Sequence, residues 1–168
     1  MTSIQNTISF IQDIYKTKDV IPLHAPNFNG NEKKYLLNTI DSTYVSSVGP
    51  YVNQFEEMMS SITKTKKAIA VMNGTAGIQI ALRLVGVNNG DEVITQALSF
   101  IATANAISYT GAKPVFVDVE ESTLCLDIDL VRQAITSKTK AIILVSANGR
   151  HPESGIEAFE ILAKENGL

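Results

Sequence analysis

A turn of small residues, Asn73-Gly74-Thr75, stands between a short apolar run and a helical pattern, and it could bind a phosphate group. At such a turn the first backbone N–H groups of the helix have no partner within the helix, and the helix dipole adds partial positive charge. Gly74 would let a ligand approach the backbone, and the hydroxyl of Thr75 could donate a further hydrogen bond. The alternative is a plain helix cap, because Asn and Thr are favoured there without any ligand. The turn matches neither the GxGxxG dinucleotide-binding motif nor the GxxxxGK[ST] phosphate-binding loop of nucleoside triphosphatases.

A second candidate is the run ALSFIATANAI, residues 97–107, which places one aromatic side chain among small ones. Phe100 stands where a loop that follows a strand enters a helix, and that edge of an open α/β sheet commonly hosts ligands. Its neighbours Ala102, Thr103 and Ala104 leave room for a flat molecule. The alternative is a phenylalanine in the core, flanked by residues that favour helix.

The remaining reactive side chains form no recognisable motif. His24 and His151 are far apart in sequence, and neither belongs to an HExxH-like pair, so no metal site is expected. The carboxylates at positions 118, 120 and 121 are typical of a solvated turn. Cys125 is the single cysteine, which excludes an intramolecular disulfide and a cysteine metal cluster. No serine stands in a nucleophile-elbow pattern, so nothing indicates hydrolysis.

The elements that would position these residues follow from the period of the apolar pattern. Three- and four-residue spacings predict helices over residues 4–15, 31–41, 52–59, 76–85, 101–109, 128–135 and 155–165. Short apolar runs between turn signals predict strands over residues 67–71, 92–94, 114–119 and 140–145. Strands that alternate with helices predict an α/β fold with a mostly parallel sheet covered on both faces. The polar stretch SANGRHPESG, residues 146–155, is predicted to be irregular.

The composition is that of an ordinary globular protein. The chain has 168 residues, 45% of them hydrophobic and 18% charged, with a formal net charge of -3. That length suffices for one domain with a real core. Because no basic stripe stands out, we expect no nucleic-acid partner. The start lacks a signal-peptide pattern and no run is apolar enough to span a membrane, so we expect a cytoplasmic protein without a membrane partner.

Taken together, the motifs resemble a known family. The order GNEKKYLLNTIDSTYVSSVGPYVNQFE, then VMNGTAGIQIAL, then GDEVITQALSFIATANAISYTGAKPVFVDV is similar to the opening of DegT/StrS-type aminotransferases. These are fold-type I pyridoxal-phosphate enzymes that act on nucleotide-linked keto-sugars. The resemblance covers residues 20–145, and the segments VSSVG and FIATANAI resemble most the branch serving bacterial legionaminic acid and related surface-sugar pathways.

The resemblance implies a fold and a set of roles. The fold is the three-layer large domain, here truncated: a helical segment over residues 1–62, then part of the pyridoxal-phosphate-binding α/β domain over residues 63–168. Gly74, Thr75 and Ala76 match the turn that holds the cofactor phosphate, and Phe100 matches the aromatic that stacks on the pyridine ring. The residues implied near the sugar substrate or the subunit interface are Asn31, Ser46, Ser47 and Gly49.

The resemblance also shows what this chain lacks. After Val145, members usually continue with a valine-histidine pair and then a glycine and a proline, whereas this chain reads SANGRHPESG. That stretch is either a natural variant loop or the scar of a damaged gene. Members then carry an aspartate for the pyridine nitrogen and, further on, a lysine that binds the cofactor covalently. The late lysines Lys138, Lys140 and Lys164 match neither position, so no catalytic residue is assigned in this chain.

The expected function is therefore that of the N-terminal part of a sugar aminotransferase. Such an enzyme uses a nucleotide-sugar and an amino-acid amino donor, and works as a homodimer. This chain alone is expected to be inactive, with transamination in a full-length relative or with a complementing chain. The alternative is a non-catalytic binding or interaction protein that retains the fold. A generic α/β nucleotide-binding enzyme is disfavoured because the glycine fingerprint is missing.

Overall fold

The computed structural model describes residues 2–168 and divides the chain into two compact units, Met1–Ala68 and Ile69–Leu168. No helix among the described residues is long and apolar enough to cross a membrane.

The first unit is helical, as the sequence predicts. Its helices are α1 (Ser3–Tyr15), α2 (Glu32–Asp41) and α3 (Pro50–Thr63). Helix α1 begins at a capping box, in which the side chains and backbones of Thr2 and Gln5 satisfy each other, and α3 begins with proline at its first position. The rings of Tyr35 and Tyr51 lie 5.1 Å apart, and the amide of Asn38 donates to the hydroxyl of Tyr51 at 3.2 Å. These contacts hold α2 against α3.

The second unit is built on a parallel three-stranded sheet. Its elements in chain order are α4 (Gly74–Leu84), β1 (Glu92–Gln96), α5 (Ile101–Tyr109), β2 (Lys113–Val117), α6 (Ile128–Ala134), β3 (Thr139–Ile143) and α7 (Ile156–Asn166). The strand order is β2-β1-β3, so β1 is central. Ile94 of β1 stands opposite Val115 of β2 and Ile142 of β3.

Helices cover both faces of this sheet, because side chains alternate along each strand. On one face Ile94 packs with Val131 of α6 and Phe159 and Leu162 of α7. On the other face Val93 packs with Leu82 of α4 and Ile107 of α5. The predicted α/β architecture, with a parallel sheet between two helical layers, is confirmed.

One predicted strand is absent. Residues 67–71 read as a buried strand, but they are not part of the sheet, and Ile69 is 71% exposed. An extended apolar segment becomes a strand only where a neighbouring strand pairs with its backbone, and the apolar pattern does not show whether such a neighbour exists. The other strands occur with ends shifted by a few residues. Val119, predicted at the end of β2, instead forms an isolated antiparallel bridge with Leu126.

Candidate functional site

The first turn of α4 is shaped by its capping residue. Asn73 is extended, with φ -165° and ψ 167°, and its side-chain oxygen accepts the N–H of Ala76 at 2.9 Å. The carbonyl of Asn73 accepts the N–H of Gly77 at 3.2 Å. The first two N–H groups, those of Gly74 and Thr75, have no partner within the helix. The helix end therefore presents two backbone donors and the positive end of the helix dipole.

The space in front of this turn is open. A Cβ atom added to Gly74 would meet no atom within 4 Å, and Gly74 itself is exposed. The packing of the described residues therefore does not require glycine at this position. A group that approaches the backbone closely does require it, because a side chain there would fill the space. The site has the geometry of an anion cradle, and the plain cap is part of the same turn.

Phe100 is a surface residue that is 79% exposed. It stands at the start of α5, directly after the loop that leaves the carboxyl end of β1, and its carbonyl accepts the N–H of Thr103 at 3.0 Å. The hydroxyls of Ser99 and Thr103 lie 2.8 Å apart and brace the same turn. The alternative of a core phenylalanine is wrong, since the ring is left free to contact a ligand.

The fold brings the α4 turn and Phe100 to the same end of the second unit. Gln79 in the middle of α4 and Arg83 in its last turn both donate to the carbonyl of Tyr109 at the end of α5, at 3.5 and 3.4 Å. The two helices also end at the same edge of the sheet, because the N–H of Gly90, just before β1, donates to the carbonyl of Gly111, just before β2. Both helices therefore begin at the opposite, carboxyl edge. Ligands of open α/β sheets bind at this edge.

Gln96 is a residue that the motif search missed. It ends β1, is 1% exposed, and its amide nitrogen donates to the carbonyls of Leu98 and Leu124, both at 3.0 Å. It thereby ties the loop that carries Phe100 to the segment that precedes α6. Its oxygen Oε1 is buried without a partner among the described residues. A polar residue at the end of an apolar strand was the only signal in the sequence.

The other predicted residues, Asn31, Ser46, Ser47 and Gly49, lie in the first unit. Ser46 and Gly49 line a cavity of about 380 Å³ between α2 and α3, together with Asn38, Tyr44 and Tyr51 among others. No charged side chain lines this cavity. Ser47 and Asn31 do not line it. Asn31 precedes α2 without a side-chain capping bond, and its side chain is exposed.

The late lysines stand elsewhere. Lys138 and Lys140 lie at the amino-terminal end of β3, whereas the α4 turn and Phe100 lie at the carboxyl edge. Lys164 is 79% exposed and lies 4.0 Å from the carboxylate of Glu160 on the same helix. Within residues 2–168 no group of three or more His, Cys, Asp or Glu side chains could hold a metal ion.

The polar segment 146–155 is fastened to the rest of the unit. The N–H of Glu153 donates to the carboxylate of Glu120 at 2.9 Å, and the hydroxyl of Ser122 donates to the carboxylate of Glu153. The thiol of Cys125 donates to the carbonyl of Arg150 at 3.5 Å. These bonds give the segment a defined place beside the turn that precedes α6.

Similar proteins include sugar aminotransferases and a polysaccharide biosynthesis protein. The model of the DegT/DnrJ/EryC1/StrS aminotransferase family matches residues 26–168. GDP-perosamine synthase from Escherichia coli O157:H7 is 41% identical over 148 residues, which cover 88% of this chain and 40% of that protein. Spore coat polysaccharide biosynthesis protein SpsC from Bacillus subtilis is 36% identical over 155 residues, covering 92% and 39% of the two chains.

A solved structure is also similar to this chain. NtdA from Bacillus subtilis with bound cofactor PMP superposes with a TM-score of 0.76 at 34% identity, covering 90% of this chain and 37% of that one. The chain thus spans about 40% of the length of the curated relatives it matches. The family match also continues through residues 146–155, where the sequence had suggested a departure.

Proposed function

The chain belongs to the DegT/DnrJ/EryC1/StrS aminotransferase family, and on that premise we propose that it supplies the phosphate-binding part of a pyridoxal-phosphate site. The observation that carries the proposal is the open first turn of α4, where Gly74 and Thr75 present unpaired N–H groups beside empty space. The family uses this cofactor, and the solved relative NtdA holds its amino form, PMP.

The residues present fit the phosphate end of the cofactor. The N–H groups of Gly74 and Thr75 and the hydroxyl of Thr75 are donors for phosphate oxygens, and the small side chain of Ala76 keeps the approach clear. The dipole of the 11-residue helix α4 favours the dianion. Phe100 offers an exposed ring at the same edge of the sheet, where it would stack on the pyridine ring.

When bound, the cofactor supplies an electron sink for the transfer of an amino group. This chain's own residues bind and orient it: the α4 turn fixes the phosphate, Phe100 fixes the plane of the ring, and Gln96 holds the loop of Phe100. We assign no lysine of this chain to the covalent link and no aspartate to the ring nitrogen. We therefore propose that these 168 residues alone do not catalyse transamination.

The proposed activity of the complete enzyme is transfer of an amino group from an amino acid to a nucleotide-linked keto-sugar in surface-polysaccharide biosynthesis. The likeness to GDP-perosamine synthase and to SpsC supports this substrate class. The segments VSSVG and FIATANAI support the finer proposal of a legionaminic-acid-type pathway. A homodimer remains a prediction from the family resemblance, and a cytoplasmic location remains a prediction from the sequence pattern.

The proposed sugar-side residues are Asn31, Ser46, Ser47 and Gly49. The cavity beside Ser46 and Gly49 supports a neutral, hydroxyl-rich ligand, because its lining holds hydroxyls and amides but no charge. The same residues could instead lie at the subunit interface. Substitution of Gly49 by alanine would crowd this cavity, because the new Cβ would lie 3.1 Å from Cβ of Tyr44, which also lines it.

The competing proposal is a non-catalytic binding protein that retains the cradle. Equilibrium dialysis against pyridoxal phosphate, followed by borohydride reduction and peptide mass spectrometry, tests both. We expect reversible binding that Thr75→Val weakens, and no labelled lysine. A lysine labelled in proportion to binding would refute the absence of a covalent link. No binding at millimolar cofactor would refute the phosphate site. Activity restored by co-expression with the remainder of a relative favours the enzyme over the binding protein.

A further inference from the structure

Arg150 lies in the loop between β3 and α7, which begins at the carboxyl end of β3. Strand β3 pairs in parallel with β1, and the loop of Phe100 leaves the carboxyl end of β1. The carboxyl ends of neighbouring parallel strands meet at one edge of a sheet, about 4.8 Å apart. Arg150 and Phe100 therefore stand on loops from adjacent strands, at the edge where ligands of open α/β sheets bind.

Positive charge is distributed unevenly over the second unit, residues 69–168. Of its seven Lys and Arg residues, Arg150 alone lies at the carboxyl edge. Helices α4, α6 and α7 begin at that edge and end toward the opposite one, and the ion pair of Arg132 with Glu165 at 3.7 Å joins the ends of α6 and α7. The remaining basic residues lie in the last turns of these helices or near the amino-terminal ends of β2 and β3: Arg83, Lys113, Arg132, Lys138, Lys140 and Lys164. Within this unit, a permanently charged cation that meets a ligand at the carboxyl edge must therefore be Arg150.

The backbone around Arg150 is held in place, whereas its side chain is free. The thiol of Cys125, which is buried, donates to the carbonyl of Arg150 at 3.5 Å. Three residues further on, the N–H of Glu153 donates to the carboxylate of Glu120 at 2.9 Å. The side chain of Arg150 is exposed, and within residues 2–168 its guanidinium group forms no hydrogen bond or ion pair. A fixed backbone lowers the entropy lost on binding, while all donors of the guanidinium group remain available.

The acidic side chains that fasten this loop have partners other than Arg150. Glu120 accepts the N–H of Glu153 at 2.9 Å and the hydroxyl of Thr123 at 2.5 Å. Glu153 accepts the hydroxyl of Ser122. Neither carboxylate forms an ion pair with Arg150. The two carboxylates therefore hold the loop without neutralising the guanidinium group, whose charge is left for an anion from outside the chain.

A guanidinium group is planar and presents parallel N–H donors, a geometry that matches two oxygens of a carboxylate or a phosphate. Both substrates of the proposed reaction carry such an oxyanion, namely the phosphates of the nucleotide-linked sugar and the carboxylate of the amino acid. We infer that Arg150 binds a substrate oxyanion at the carboxyl edge, separately from the cofactor phosphate at the α4 turn. The identity of the substrates rests on the proposed function, whereas the binding of an oxyanion by Arg150 rests on its place in the fold.

Phenylglyoxal reacts with guanidinium groups, and the chain has three arginines, Arg83, Arg132 and Arg150. The chain is modified in the presence of pyridoxal phosphate and either inorganic pyrophosphate or L-glutamate, and peptide mass spectrometry follows each arginine separately. We expect at least one of the two anions to slow the modification of Arg150 roughly tenfold and to leave Arg132, at the opposite edge, unchanged. Protection by pyrophosphate assigns the nucleotide-linked sugar, and protection by glutamate assigns the amino acid. Protection by neither anion, equal protection of Arg132, or full protection by pyridoxal phosphate alone would overturn the inference.

Substitutions of Arg150 give an independent measurement, by calorimetric titration with the anion that protects. Arg150→Gln should raise its dissociation constant roughly tenfold, and Arg150→Lys should raise it less, because lysine keeps the charge but loses the paired donors. Arg132→Gln makes the same change of charge at the opposite edge and should have no effect. The melting temperature of each variant checks its folding, and an Arg150→Gln variant that is folded and binds like the wild type would contradict the inference. Equilibrium dialysis shows whether pyridoxal phosphate itself binds, so a failure of the cofactor site is distinguishable from a failure at Arg150.

Discussion

Asn73→Asp should separate the stability of α4 from its affinity for phosphate. Asparagine and aspartate are equally good N-caps, so the bond from the N–H of Ala76 to the side chain of residue 73 persists. A carboxylate in the first turn also interacts favourably with the helix dipole, by about 0.3–1 kcal/mol. The melting temperature of the variant should therefore be equal to or slightly above that of the wild type.

Affinity for pyridoxal phosphate should change in the opposite direction. A phosphate held by the N–H groups of Gly74 and Thr75 would lie ~5 Å from the new carboxylate, since both anions contact the same helical turn. For a dianion at that distance, the repulsion in a water-like dielectric is about 1.7 kcal/mol. Because this repulsion acts only in the complex, it should raise the dissociation constant roughly 15-fold. Gly74 and Asn73 are exposed, so the water-like value applies.

Equilibrium dialysis and thermal unfolding of the same preparations measure both quantities. Asn6→Asp makes the same change of charge in α1 and should leave the dissociation constant unchanged. If Asn73→Asp bound the cofactor as tightly as the wild type, the phosphate would not lie at the start of α4. If the variant melted well below the wild type, the cap would not tolerate the carboxylate and the argument for the turn's geometry would be wrong.

Four further substitutions test the rest of the site and the fold that positions it. Phe100→Ala should leave the free energy of unfolding within about 0.5 kcal/mol and weaken cofactor binding by about 1 kcal/mol, because the ring is exposed and only stacks on the ligand. Gln96→Leu should cost about 1–3 kcal/mol in urea unfolding, because two carbonyls lose their donor, whereas Gln133→Leu on the surface of α6 should cost almost nothing. Gly111→Ala should cost about 1–3 kcal/mol, since its φ is +86° and the new Cβ would lie 2.8 Å from a side-chain oxygen. Gly74→Ala should unfold like the wild type but bind the cofactor more weakly, and equal binding would show that the space at Gly74 is not used.

The spacing of apolar residues predicted the helices well wherever that spacing, within the segment itself, determines the secondary structure. The limits of α5 were predicted to the residue, and those of α1 and α2 to within one. In each case apolar side chains three or four positions apart share one face only in a helix. The missing strand at residues 67–71 shows where this reasoning stops, because pairing depends on a neighbour that the segment itself does not specify.

The sequence predicted some of the site residues and missed others. Small residues after an apolar run predicted the turn at Gly74, and the capping bond from Asn73 shows how that turn is held. Sequence alone could not decide whether Phe100 belonged to the core, because exposure depends on which side of α5 meets the sheet. Gln96 was missed because its role is a pair of hydrogen bonds to carbonyls, and carbonyls are common to every residue type.

By itself the sequence determined the helices, the parallel α/β class, the turn at Gly74 and, through its motifs, the family. These depend on local period and on residue types at fixed spacing. Only the tertiary structure decided that the α4 turn and Phe100 share the carboxyl edge of one sheet, since the contacts from Gln79 and Arg83 to Tyr109 join segments about 30 residues apart. Only the tertiary structure decided the strand order β2-β1-β3, because strand order is a property of pairing between segments.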